Sequence, residues 1–104
     1  MSKNMNNLLR QAQQMQQKMS TLQKELESRE LDVSSGGGMV KIKINGKQEI
    51  LELKINKECV DPSDVATLEE LVLTAVNQAT KESQDMVSNA MSKVTGGLSI
   101  PGMF

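Results

Sequence analysis

Residues 39–56 read MVKIKINGKQEILELKIN, and this stretch decides the fold. Val40, Ile42 and Ile44 alternate with Lys41 and Lys43, a period of two that lines one face of a half-buried strand with apolar side chains. Asn45 and Gly46 supply the positive backbone angles of a tight hairpin turn, so the chain is expected to reverse into a second strand over about Gln48 to Asn56. There Leu51, Leu53 and Ile55 share a face, whereas Ile50 falls on the other. A bulge near Ile50 would bring it inward; a break there would divide the segment into two short strands.

Working outward from this hairpin, about 39–56, both flanks read as helix. Upstream, Met5, Leu8, Ala12, Met15, Met19, Leu22 and Leu26 are spaced alternately by three and four residues, a heptad seam with Gln, Lys and Glu as filler and no Gly or Pro. The spacing predicts a long amphipathic helix over about 3–31. Arg29 interrupts the seam, and Ser34 through Gly38 are read as its end and a flexible loop. Downstream, Asp61 to Asp64 form a turn, and Thr67 with Glu70 has the order of a capping box. Leu71, Val72, Ala75, Val76 and Ala79 then recur at helical spacing as far as Val94, predicting a second helix over about 67–95, with Gly96 and Gly97 as its stop. An apolar tail, 98–104, follows.

The order predicts a single α+β domain: a long N-terminal helix, a small antiparallel sheet of two to three strands, and a long C-terminal helix. A sheet that small cannot cover two long apolar stripes. Leu53, Ile55, Leu71, Val72, Ala75, Val76 and Ala79 are therefore the expected core or dimer interface, and a homodimer is the expected state.

Composition narrows the function. The 104 residues contain no histidine, which removes the commonest general base and metal ligand, and a single cysteine, which can make neither an internal disulfide nor a thiolate cluster. No nucleophile and base pair, cofactor loop or metal-ligand spacing is legible, so no enzyme activity, cofactor, metal or small-molecule substrate is expected. Cys59 reads as structural or incidental, and Glu69 and Glu70 as favourable charges at a helix N-terminus. Met1 to Ser20 is polar and lacks the apolar run of a signal peptide. A cytoplasmic protein without a membrane partner is expected.

The net charge of −1 conceals sorting along the chain. Met1 to Lys24 carries Lys3, Arg10, Lys18 and Lys24 with no acid, and Met39 to Lys57 carries five lysines against two glutamates; the acids concentrate in Glu25–Asp32 and beyond Glu58. Such sorting points to a local anionic partner. With Met5 at position a, Lys3, Arg10, Gln17 and Lys24 all fall at the outward position f. Neighbours seven apart lie roughly 10 Å from one another along the helix, a line suited to phosphates, with Gln14, Gln17 and Lys18 as further contacts. The same line also reads as a solvated outer face. Lys41 and Lys43 extend a basic surface on one reading and guard an edge strand on the other.

Several segments in order resemble the YbaB/EbfC family of bacterial nucleoid-associated proteins. They are Leu9–Met15 (LRQAQQM), Gly37–Gly46 (GGMVKIKING), Leu68–Val72 (LEELV), Ala75–Ala79 (AVNQA), and a Leu98–Gly102 end similar to the family's Leu-Pro-Gly tail. The resemblance spans nearly the whole chain. It implies a tweezer-like homodimer whose sheets and second helices form the body while the long helices project. It also implies binding of double-stranded DNA with little or broad sequence preference, in the nucleoid. The other reading open to the same heptad is a dimeric helical adaptor that binds another protein through its long helices.

Overall fold

Leu26, the last residue of the heptad seam, is completely buried, while Met5, Leu8 and Met15 near its start are exposed. This gradient sets the shape. The computed structural model describes residues 2–94; the side chain of Lys3 and the tail at 98–104 lie outside the described residues. Helix α1, Ser2–Ser28, leans on the body only through its last turns and projects beyond it, giving the chain a long dimension of 75 Å against 22 and 16 Å. Its 27 residues reach roughly 40 Å at 1.5 Å per residue.

The chain after α1 corrects the sequence reading. Glu30–Ser35 is a strand, β1, and not the end of a helix running into a loop. Leu31 and Val33 alternate with Glu30, Asp32 and Ser34, and Val33 is buried, so the segment obeys the period of two once Arg29 has broken the helical one. Gly36–Met39 is a tight turn, closed by Gly38 N–H donating to Ser35 O at 3.2 Å, with Gly36, Gly37 and Gly38 all at positive φ. The sheet is therefore three-stranded and antiparallel in the order β1, β2 (Val40–Asn45), β3 (Ile50–Ile55).

The turn between β2 and β3 is longer than a two-residue hairpin. Asn45 organises it: its Oδ1 accepts from Lys47 N–H at 2.9 Å and from Glu49 N–H at 3.0 Å. The positive φ sits at Gln48 (64°), not at Gly46. Gly46 is needed for another reason, since a Cβ there would run into the backbone carbonyl of Leu26. The expected bulge is present. Lys43 pairs with Glu52 and Ile44 with Ile50, so Leu51 is the extra residue and Ile50 joins the face of Leu53 and Ile55, while β3 stays continuous.

Helix α2, Val65–Val94, starts earlier than the capping-box reading placed it. Asp64 is the cap: its carboxylate accepts from Thr67 N–H at 3.3 Å and from the Thr67 hydroxyl at 2.7 Å, which makes Thr67 the third helical residue. Just before it, the Ser63 hydroxyl and amide both donate to Asp61, holding that carboxyl below its ordinary pKa. α2 lies along β1 and β2 and is tied at two points. The Ser35 hydroxyl donates to Leu71 O at 3.0 Å, and the buried Ser83 hydroxyl donates to Asn45 O at 2.7 Å. Leu71 and Ser83 are twelve residues apart, about 18 Å of helix, which matches the length of a six-residue strand.

Between them lies the core of Val33, Val40, Ile42, Ile44, Ala75 and Ala79, with Leu31, Leu71, Val72 and Val76 packed at its edge. Small residues at 75 and 79 let the helix approach the sheet closely. β3 is left out. Its apolar residues Ile50, Leu51, Leu53 and Ile55 are 43, 48, 46 and 38 % exposed.

Candidate nucleic-acid interface

α1 positions the basic line by helical repetition alone. Met19, Leu22 and Leu26 turn toward the body, so the residues at the outward heptad position, Arg10, Gln17 and Lys24, point away from it and are exposed. Gln14 and Lys18 are exposed beside them. No carboxylate precedes Glu25 in the chain, and among the described residues none of Arg10, Lys18 and Lys24 is in an ion pair. Lys24, where α1 meets the β2–β3 turn, has company. It shares a shallow groove with Lys47, Glu27 and Glu49, whose opposite charges offset its field in part.

The outer face of the sheet is organised in rows set by strand register. In one row Asp32, Lys43 and Glu52 stand side by side, and the Lys43 ammonium lies 3.8 Å from Glu30 and 3.9 Å from Glu52. Lys43 is thus neutralised within the sheet. In the next row Ser34, Lys41 and Lys54 stand side by side, all exposed, and among the described residues neither lysine is in an ion pair. Lys54 was not singled out from sequence, and neither was Ser34. The alternation over 30–35 would have revealed the strand carrying Ser34, but only pairing across strands brings Lys54 opposite Lys41.

Of the residues expected in the core or at a dimer interface, Ala75 and Ala79 are buried within the protomer, Leu71, Val72 and Val76 are half-buried, and Leu53 and Ile55 are exposed. Cys59 sits in a single 3-10 turn, Lys57–Cys59, where its thiol donates to Asn56 O at 3.1 Å. Among the described residues no three Asp, Glu or Cys side chains group as metal ligands, and no helix is long and apolar enough to cross a membrane.

The profile of the YbaB/EbfC DNA-binding family matches residues 1–98. The chain belongs to that family. Its relatives include a nucleoid-associated protein of Clostridium kluyveri, 52% identical over 97% of this chain and 89% of the relative, and one of Caldanaerobacter subterraneus, 50% identical over 97% and 91%. A nucleoid-associated protein of Pelotomaculum thermopropionicum is 46% identical over 100% of this chain and 99% of its own length. The crystal structure of an uncharacterized protein from Helicobacter pylori has the same fold, with a TM-score of 0.71 and 24% identity, covering 88% of this chain and 94% of that one. The resemblance carried by the Gln-rich first helix and the GGMVKIKING run is therefore upheld as YbaB/EbfC membership. The α+β architecture of a long helix, a small antiparallel sheet and a second long helix is upheld with it.

Proposed function

We propose that this YbaB/EbfC protein is a non-enzymatic, cytoplasmic, nucleoid-associated homodimer that binds double-stranded DNA with little or broad sequence preference. The carboxylate-free face of α1 carries the reading. Arg10, Lys18 and Lys24 are exposed cations on a projecting helix, unpaired among the described residues. Contacts of this kind go to phosphate and position the protein without reading sequence. The names of the relatives support the nucleoid setting. Titration of the purified protein against random-sequence duplex DNA should give an affinity that falls linearly in log–log form with salt. Absence of any duplex binding at low salt would overturn the reading.

The homodimer is supported by β3. Burying the exposed halves of Ile50, Leu51, Leu53 and Ile55 from two protomers would contribute on the order of 5–10 kcal/mol before the cost of association, which suits a stable dimer. Sedimentation at micromolar concentration should show about twice the 11.4 kDa chain mass. Leu53→Asp, which sets a charge in the middle of this face, should reduce it to the chain mass while the helical signal is kept. A dimeric Leu53→Asp protein would place the interface elsewhere.

A second reading has its own support, since Met5, Leu8 and Met15 leave the outer half of the heptad seam exposed. In that reading the protein is a dimeric helical adaptor. Salt-insensitive pairing with a helix of another protein, together with no shift of duplex DNA, would favour it over DNA binding.

A further inference from the structure

We infer that Ser34, Lys41 and Lys54 form a phosphate-holding row on the outer face of the sheet, which grips the backbone of duplex DNA at a place separate from α1. The inference rests on the DNA-binding reading above. Register puts Ser34 opposite Lys41 and Lys41 opposite Lys54, so the three side chains leave the sheet from one row on one face. Directly opposed side chains have their Cβ atoms about 5 Å apart, close enough for two ammonium groups to straddle one phosphate.

Like charges directly opposite one another destabilise a sheet, and the neighbouring row has the stabilising alternative. There Lys43 stands between Asp32 and Glu52 and is drawn to Glu52 and Glu30. In one row of the same face the lysine is thus paired with carboxylates, and in the next two lysines stand opposed with no ion pair among the described residues. A local rule broken beside a row that obeys it marks a functional position.

Other features of the row fit the same ligand. Ser34 is exposed, and among the described residues its hydroxyl is not engaged, which leaves a donor beside the two ammonium groups. The shallow groove that holds the row is open and flanked only by other strand residues, Asp32, Lys43 and Glu52 among them. It contains nothing that would enclose a base or a sugar. Two exposed lysines hold a lone small anion weakly, whereas a polyanion that is already tethered elsewhere presents its phosphates at high effective concentration.

Random-sequence duplex DNA titrated at several salt concentrations tests the row. Lys41→Gln with Lys54→Gln should lower the slope of log affinity against log salt by about 2 units if one row of a dimer is engaged, and by about twice that if both are. The fall in affinity between 50 and 200 mM salt should then shrink by roughly tenfold or more. Lys81→Gln with Lys93→Gln, the same loss of charge at exposed positions on α2, should leave the slope near that of the parent. Lys41→Glu should raise the melting temperature, by creating a cross-strand ion pair with Lys54, and still weaken DNA binding. An unchanged slope in the Lys41 and Lys54 variant, or an equal fall in the Lys81 and Lys93 variant, would overturn the row while leaving DNA binding intact. A parent protein that binds no duplex at any salt would instead remove the DNA-binding reading and the row with it.

Discussion

Replacing Arg10 and Lys24 by Gln is expected to lower the slope of log affinity against log salt by about 3 to 4 units, with the fold kept. Each phosphate neutralised contributes roughly 0.9 to that slope on duplex DNA, and a symmetric dimer presents each residue twice. If only one of each symmetric pair touches phosphate, the change is about half as large. Both residues are exposed on α1, and Gln is a good helix former, so the substitutions remove charge without disturbing the packing of Leu22 and Leu26. Unrelated duplexes should weaken about equally, because phosphate contacts carry no sequence information. Lys24 shares its groove with Glu27 and Glu49, so Arg10→Gln alone should account for more than half of the change. A slope equal to that of the parent in a folded dimer would clear α1 of this role and leave the sheet as the contact surface.

Gly46→Ala is expected to be the most destabilising small substitution in the chain, at about 3 kcal/mol, the upper end of what an added methyl does in a packed site. In a domain of this size that lowers the melting temperature by about 12 to 24 °C. The added Cβ would strike the carbonyl oxygen of Leu26, with the carbonyl carbon 2.6 Å away and Glu27 N at 3.2 Å. These are backbone atoms of α1's last turns, and no side-chain rotation can move them aside. Relief requires lifting α1 off the β2–β3 turn, which exposes Leu26. Gly37→Ala is the reference, since Gly37 has φ +68° and no atom within 4 Å of an added Cβ. It should lose only the left-handed backbone penalty, about 1–2 kcal/mol. Thermal unfolding followed by circular dichroism compares the two. A loss at Gly46 no greater than at Gly37 would show that α1 can leave the turn at little expense.

Local pattern accounts for what could be read without coordinates. A 3–4 repeat free of Gly and Pro specifies α1, and the Val40, Lys41, Ile42, Lys43, Ile44 alternation specifies β2 and its buried face. The mismatch at Ile50 signals a bulge or a break, because an unbroken period of two cannot bring that residue onto the face of Leu53 and Ile55, and the strand register decides for the bulge. β1 carries only a weak alternating signal, for a physical reason. It has only two apolar residues, Leu31 and Val33, lies between a helical seam and three glycines, and owes its extended form to pairing with β2. Two carboxyl-bearing residues, Asp61 and Asp64, precede the start of α2, and contact with Thr67 makes Asp64 the cap.

By itself, the sequence determined the kinds and order of the long elements, the outward placement of Arg10, Gln17 and Lys24, and the family resemblance, because each depends on residues within a few turns of one another. Tertiary structure alone decided which cations are free. Lys41 and Lys43 are equivalent in a list of alternating residues, yet one faces Lys54 and the other lies between carboxylates, a difference set by register among three strands. It also decided why Gly46 must be glycine, since the carbonyl it meets belongs to Leu26, twenty residues earlier in the chain. Periodicity records which face of an element is buried. What that face or its opposite meets is fixed by pairing and packing between segments distant in sequence, where no local pattern carries the information.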